Sequence, residues 1–203
     1  MTPVEKIAVF GGTFNPIHNG HLHLVKSFAE ILQVNRALII PTGTPPHKQV
    51  HDLAPAADRL AMCRLAVAGS NLFEIDDMEI RRGGASYTSV TLKQLKTLYP
   101  ESELFLITGE DMFTTLADWH DSQTIFSLAT ICAAPRNKDG ITHLLQYAGQ
   151  LRKQGAKTIV KPVPYLPISS TMVRKAVREE KDISGLVPVA VEAYIRTNKL
   201  YLR

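Results

Sequence analysis

The sequence predicts an α/β domain built on a doubly wound parallel sheet with helices on both faces. Short apolar, β-prone segments alternate with amphipathic stretches along the chain, and the turn-forming Gly and Pro motifs fall directly after the apolar segments. No repeat, low-complexity tract or linker interrupts the 203 residues. That length buries one full core, so residues 1–203 read as a single domain with a small C-terminal helical part from about residue 169.

Lys6-Ile7-Ala8-Val9-Phe10 reads as a buried first strand, Ile7–Phe10. Gly11 and Gly12 would let the chain turn sharply and a ligand approach the backbone, and Pro16 delays the next helix until about His18. From His21, Leu22, Leu24, Val25, Phe28, Ile31 and Leu32 recur at helical spacing, which leaves the N–H groups of Asn19 to His21 as the unpaired donors of a helix start. Next come a strand at Ala37–Pro41, a helix near Ala56–Ala68, a strand at Phe73–Ile80 and a helix from about Thr88 to Leu98. Asp76, Asp77, Glu79, Arg81 and Arg82 look like a charged strand end and exposed loop, with no chemistry assigned. Leu104-Phe105-Leu106-Ile107 is the strongest strand and ends in Thr108-Gly109. A short helix near Asp111–Ala117, a strand at Ala129–Ala133, a helix near His143–Lys153 and a strand at Ile159–Val163 follow, with residues 139 to 158 read as a polar, mobile crossover. Val173, Ala176 and Val177 mark the inner face of a helix running to about Glu180.

Lys and Arg (23) are interspersed with 19 acidic residues, for a net charge of +4 and a pI near 9.1. Such a balance suits a phosphate-bearing substrate better than a nucleic-acid track. The longest apolar runs fall short of a membrane span, and the N-terminus enters a strand with no signal-peptide layout, so a cytoplasmic protein without a membrane partner is expected. Cys63 sits in a helical pattern and Cys132 in a strand pattern; both read as buried free thiols. Homo-oligomerisation is left open.

Ligands of parallel sheets sit past the carboxyl ends of the strands, where Gly11-Gly12, Pro41-Thr42-Gly43-Thr44, Thr108-Gly109-Glu110-Asp111 and Pro135-Arg136 fall. His18 and His21 lie three apart on one side of a first helical turn, an anion-attracting place, and as donors there would stabilise a transferring phosphate. The plainer alternative is that one histidine packs in the core while the other caps the turn. His23, His47 and His51 add to the imidazoles, but no carboxylate or thiolate stands at ligand spacing, so no protein-built metal site is expected. Ser169-Ser170-Thr171 are first of all helix caps; with Arg174 one turn on they make a polyphosphate clamp. Asp111 either accepts from a ribose or base or caps the short helix after it. Trp119, the only tryptophan, is either partly buried core or a face for a pyridinium ring. Lys48, after the stiff Pro45-Pro46, belongs to a loop over the site. Ser86-Tyr87-Thr88 starts a helix, with Thr88 as the capping hydroxyl, whose N–H groups would select a carboxylate over an amide. No residue looks like a covalent nucleophile with an activating base.

The run Gly11-Gly12-Thr13-Phe14-Asn15-Pro16-Ile17-His18-Asn19-Gly20-His21-Leu22 resembles the opening of the nucleotidyltransferases with the His-x-Gly-His signature, and Ile168-Ser169-Ser170-Thr171-Met172-Val173-Arg174 resembles their second signature. With Pro45-Pro46-His47-Lys48, Ser86-Tyr87-Thr88, Gly109-Glu110-Asp111, Trp119 and Pro135-Arg136, the whole chain is similar to the bacterial nicotinate-nucleotide adenylyltransferases. The resemblance implies a Rossmann-like fold and transfer of the adenylyl group of ATP to nicotinate mononucleotide in NAD biosynthesis, by in-line attack, with Mg²⁺ travelling with ATP. It implies His18, His21 and Arg174 as catalytic residues. ATP would be held by these together with Gly11, Gly12, Thr13, Phe14, Gly20, Gly109, Asp111, Ser169, Ser170 and Thr171, and the mononucleotide by Asn15, Thr44, His47, Lys48, Tyr87, Thr88, Trp119, His120 and Arg136. Glu110 stands where relatives usually carry a small or neutral residue, and His120 where they commonly have Tyr. The alternatives are a sister transferase for nicotinamide mononucleotide or phosphopantetheine, and a non-catalytic nucleotide-binding regulator. A class I aminoacyl-tRNA synthetase would need a longer chain, and a redox dinucleotide fold would need Gly-x-x-Gly spacing after Thr13.

Overall fold

The structure, a computed structural model, describes residues 4–45, 52–137 and 140–202. Six strands, β1 (Lys6–Gly12), β2 (Arg36–Pro41), β3 (Phe73–Ile75), β4 (Glu103–Thr108), β5 (Ala129–Ala133) and β6 (Lys157–Val160), form one sheet in the order β3-β2-β1-β4-β5-β6, and every pairing is parallel. The helices are α1 (Asn19–Leu32), α2 (Ala56–Val67), α3 (Met78–Arg82), α4 (Thr88–Leu98), α5 (Glu110–Phe113), α6 (Ser122–Leu128), α7 (Gly140–Lys153), α8 (Ser170–Arg178) and α9 (Val189–Thr197), with a 3-10 turn at Leu116–Asp118.

Successive strand residues point to opposite faces, so apolar runs such as Ile7-Ala8-Val9-Phe10 feed two cores at once. Ile7, Val9, Leu38, Ile40, Leu104 and Leu106 pack on one face with Leu92 and Leu95 of α4, Ile125 and Phe126 of α6 and Leu144, Ala148 and Leu151 of α7. Ala8, Phe10, Ala37, Ile39, Phe105 and Ile107 pack on the other with Val25 and Phe28 of α1 and Met62 and Cys63 of α2. Val173 of α8 and Val191 and Ile195 of α9 are buried in this second cluster too. The C-terminal helices are therefore seated on the sheet layer that carries α1. Among the described residues no helix is long and apolar enough to cross a membrane.

Several boundaries differ from the sequence-based expectation. The strand expected to reach Ile80 ends at Ile75, because Asp76 Oδ1 accepts from Met78 N–H at 2.9 Å and turns the chain into α3. The expected helix near Asp111–Ala117 divides into α5 and the 3-10 turn. α6, with only Ile125 and Phe126 buried, was too short and polar for periodicity to reveal. Within the crossover read over residues 139 to 158, Gly140–Lys153 form α7, which Leu144, Ala148 and Leu151 anchor in the core. Gly11 and Gly12 are the last residues of β1 and not a turn; the chain reverses at Phe14, which holds the left-handed conformation at φ 47°.

Candidate active site

The sheet reverses its winding between β1 and β4, and a crevice opens beyond their carboxyl ends. A cavity of about 920 Å³ fills it, and its lining draws on both signature segments, the loops after β2, β4 and β5, and the start of α4.

His18 and His21 stand at the start of α1 on the wall of this cavity. His18 is the N-cap of α1, and its Nδ1 accepts from His21 N–H at 3.3 Å while His21 Nδ1 accepts from His18 N–H at 3.2 Å. The rings stack at 3.5 Å between centroids, 20° from parallel. Because both Nδ1 atoms accept, each neutral imidazole carries its proton on Nε2, and the pair offers two N–H donors at the cavity wall. Burial keeps them neutral: it lowers the His18 pKa to about 4, and burial together with the neighbouring His18 holds His21 well below the usual imidazole range. Phe14, itself buried, meets the His21 ring edge-on at 5.2 Å. At position 20 a Cβ would lie 3.1 Å from His18 Nδ1 and 3.4 Å from the Ile168 carbonyl, so glycine is what lets the two signature segments close on the pair. The expectation of free N–H groups from Asn19 to His21 is corrected for two of them: Asn19 N–H donates to Leu186 O at 2.9 Å and His21 N–H is taken by the cap.

The second signature is bonded directly to the first. Arg174 Nη1 donates to Asn15 O at 2.8 Å and Nη2 to Thr171 Oγ1 at 3.4 Å, while Ser170 Oγ donates to Pro16 O at 2.8 Å. Ser169 caps α8, accepting from Met172 N–H at 3.1 Å. Ser169, Ser170, Thr171 and Arg174 all line the cavity, as do Gly11, Gly12, Thr13, Phe14 and Gly20.

At the opposite wall, Tyr87 and not Thr88 is the N-cap residue of α4, with no side-chain cap bond, and Thr88 is its first helical residue. Ser86 does the local bonding: its Oγ accepts from Gly43 N–H at 3.0 Å and its N–H donates to Thr44 O at 3.1 Å. The Tyr87 and His120 rings stack at 4.1 Å. Trp119 is half-buried and donates from Nε1 to Thr115 Oγ1 at 3.3 Å. All four of Tyr87, Thr88, Trp119 and His120 line the cavity. Thr44, however, is exposed and outside the lining, its backbone spent on Ala85 and Ser86; Thr42 and Pro45 stand there instead. Asn15 is also reassigned. Its side chain is buried, donating to Asp52 O at 2.8 Å and accepting from Ala54 N–H and Tyr201 Oη–H, so only its backbone serves the site. His47 and Lys48 lie outside the described residues.

Beyond β4, Glu110 Oε2 accepts from Arg136 N–H at 2.7 Å, which occupies this carboxylate with the backbone. Asp111 pairs with the Arg136 guanidinium through Oδ2 and its side chain is 65% exposed, and both carboxylates line the cavity. Gly109 and Arg136 complete this rim. Cys63 and Cys132 are buried free thiols with pKa values raised by burial, that of Cys132 to about 12, which leaves no thiolate for chemistry.

Two buried charges escaped the sequence reading. Arg59 is 1% exposed, and Glu79, expected on an exposed loop, is 4% exposed, lines the cavity and accepts from Thr91 Oγ1 at 2.6 Å. Burial raises the Glu79 pKa above the usual carboxylate value. For Arg59 a signal existed: with Met62 and Cys63 it forms an inward stripe at helical spacing.

The model of the cytidylyltransferase-like family matches residues 9–176. A protein named "Probable nicotinate-nucleotide adenylyltransferase" from Desulfitobacterium hafniense strain Y51 is 37% identical over 203 residues, covering 98% of this chain and 97% of the relative. A protein of the same name from Dehalococcoides mccartyi strain 195 is 37% identical over 199 residues, covering 98% of both. Among solved structures, Plasmodium falciparum nicotinic acid mononucleotide adenylyltransferase complexed with NaAD superposes with a TM-score of 0.78 at 19% identity, covering 97% of each chain, which speaks for the fold.

Proposed function

The chain belongs to the cytidylyltransferase-like family and, within it, to the nicotinate-nucleotide adenylyltransferases, and on that premise we propose how its cavity carries out the reaction. The protein transfers the adenylyl group of ATP to nicotinate mononucleotide, forming nicotinate adenine dinucleotide and pyrophosphate, in NAD biosynthesis. A phosphate oxygen of the mononucleotide bonds to the α-phosphorus of ATP as the bond from that phosphorus to the β-phosphate oxygen breaks, and pyrophosphate departs. With no activated nucleophile in the protein, catalysis rests on positioning and charge stabilisation.

His18 and His21 donate from Nε2–H to oxygens of the reacting α-phosphate. As neutral donors they stabilise developing charge without exchanging a proton. Arg174, Ser169, Ser170 and Thr171 hold the departing β- and γ-phosphates, and Gly11, Gly12, Thr13, Phe14 and Gly20 form the floor on which ATP lies. Gly109 and Asp111 face its nucleoside end. Tyr87, Thr88, Trp119, His120 and Arg136 hold the mononucleotide, with Trp119 stacked on the pyridinium ring. Mg²⁺ enters with ATP as part of that substrate. The reaction is assigned to the cytoplasm, and residues 1–203 to one working unit in which 169–203 supply the clamp.

The observation that carries this reading is the reciprocal cap, which spends both Nδ1 atoms on the helix start and leaves two Nε2 donors at the cavity wall. His18→Asn tests it, because Asn caps a helix but offers no such donor in that place. The wild type is expected to form the dinucleotide, and the folded variant to lose turnover by a factor of about 10² or more. Near-normal turnover of the variant would remove the histidines from the chemistry.

A further inference from the structure

Arg59 lies on α2, away from both signature segments, yet four of its N–H contacts reach backbone carbonyls of three separate segments. Nη1 donates to Thr13 O and to Thr42 O, each at 2.7 Å, Nη2 to Gly43 O at 3.0 Å, and Nε to Ala54 O at 3.1 Å. No carboxylate accepts from it among the described residues; the acceptors around the buried guanidinium are these backbone carbonyls. A core position that served packing only would be better filled by an apolar side chain, since removing a guanidinium from water is costly.

Two of the three segments it joins have different tasks in the reading above, on which this inference rests. Thr13 follows β1 on the phosphate side, beside the histidine pair, and lines the cavity. Thr42 also lines the cavity, and Gly43 is bonded to Ser86 at the start of the mononucleotide wall. Gly43 lies close against another backbone segment: a Cβ there would come 2.8 Å from the Glu79 carbonyl.

We propose that Arg59 is a positioning residue for the transfer step: its planar fork fixes the distance between the phosphate floor at Thr13 and the mononucleotide wall at Thr42 and Gly43. It touches neither substrate. Its contribution is to bring two bound reactants into line, so its loss should appear in turnover and not in the affinity of either substrate. Lys is a point charge that reproduces part of the fork, and an apolar side chain reproduces none of it.

The test compares wild type, Arg59→Lys and Arg59→Met in full initial-rate kinetics with ATP and nicotinate mononucleotide, alongside melting temperature. The wild type is measured first, and its failure to form the dinucleotide would overturn the functional reading itself. Given an active wild type, the expected result is a kcat lower by about tenfold or more in Arg59→Met, both KM values within about threefold of wild type, and Arg59→Lys in between. A lower melting temperature with kcat within about twofold of wild type would overturn the proposal and leave Arg59 a structural residue. So would a change confined to one KM, complete restoration of kcat by Lys, or failure of both variants to fold.

Discussion

At the scale of single residues, the histidine pair couples the fold to pH. His18 is held at a pKa of about 4 in the folded chain against 6.5 ordinarily, so on acidification the unfolded chain takes up the proton first. The stability tied to this cap is therefore complete above about pH 6.5 and falls as pH drops to about 4, by on the order of 3 kcal/mol. Urea unfolding of the ligand-free protein between these limits should show that loss, and His18→Asn should show a smaller one; identical profiles would place the acid sensitivity elsewhere. Arg174 holds Asn15 O and Thr171 with separate nitrogens of one fork, so Arg174→Lys is expected to recover only part of the turnover lost in Arg174→Ala. Complete recovery would show that charge alone suffices. Trp119→Ala should weaken nicotinate mononucleotide by about 1–3 kcal/mol through lost stacking, while the preference for the acid survives. These residue types were legible in the sequence because glycines, paired histidines and a hydroxyl run with Arg have few other uses together. The partners were not. Nothing in residue order revealed that Asn15 would be bonded to Ala54 and Tyr201, or that Glu110 would be taken up by the Arg136 backbone.

At the scale of elements, the start of α4 carries the most exposed claim. Thr88 is the first helical residue, a position where Pro is well tolerated because its missing N–H has no partner within the helix. Thr88→Pro should therefore fold, remove one donor facing the cavity and reduce the preference for nicotinate over nicotinamide mononucleotide. If the folded variant keeps that preference undiminished, the carboxylate is bound by another element. The strands β1, β2, β4 and β5 were readable because both faces are buried and their sequences are nearly continuous in apolar residues. β3 was overextended because Met78 and Ile80 add apolar residues beyond it, although they fall out of step with Phe73 and Ile75, while the Asp76 turn that ends it depends on a side-chain bond and not on hydrophobicity. α3 and α6 escaped for a related reason, being too short to complete a hydrophobic period.

At the scale of the whole molecule, the fold joins segments far apart in sequence into one wall. The bonds from Ser170 to Pro16 and Arg174 to Asn15 place the second signature against the first, the bond from Asn19 to Leu186 ties the start of α1 to the segment before α9, and β4 and α4 supply the facing side. The alternation of strands and helices was enough to anticipate the crevice past β1 and β4, because a doubly wound sheet has its ligand site where the winding reverses. It could not show the buried Arg59 beneath that crevice, whose role exists only once four carbonyls have been brought around it. The central claim is that this cavity joins ATP to nicotinate mononucleotide. Pyrophosphate release by the purified protein, with ATP and either nicotinate or nicotinamide mononucleotide under matched conditions, tests it most directly. Rapid release with the nicotinate form, accompanied by nicotinate adenine dinucleotide and much slower release with the amide, is the predicted result; release with neither, or faster release with the amide, would contradict it.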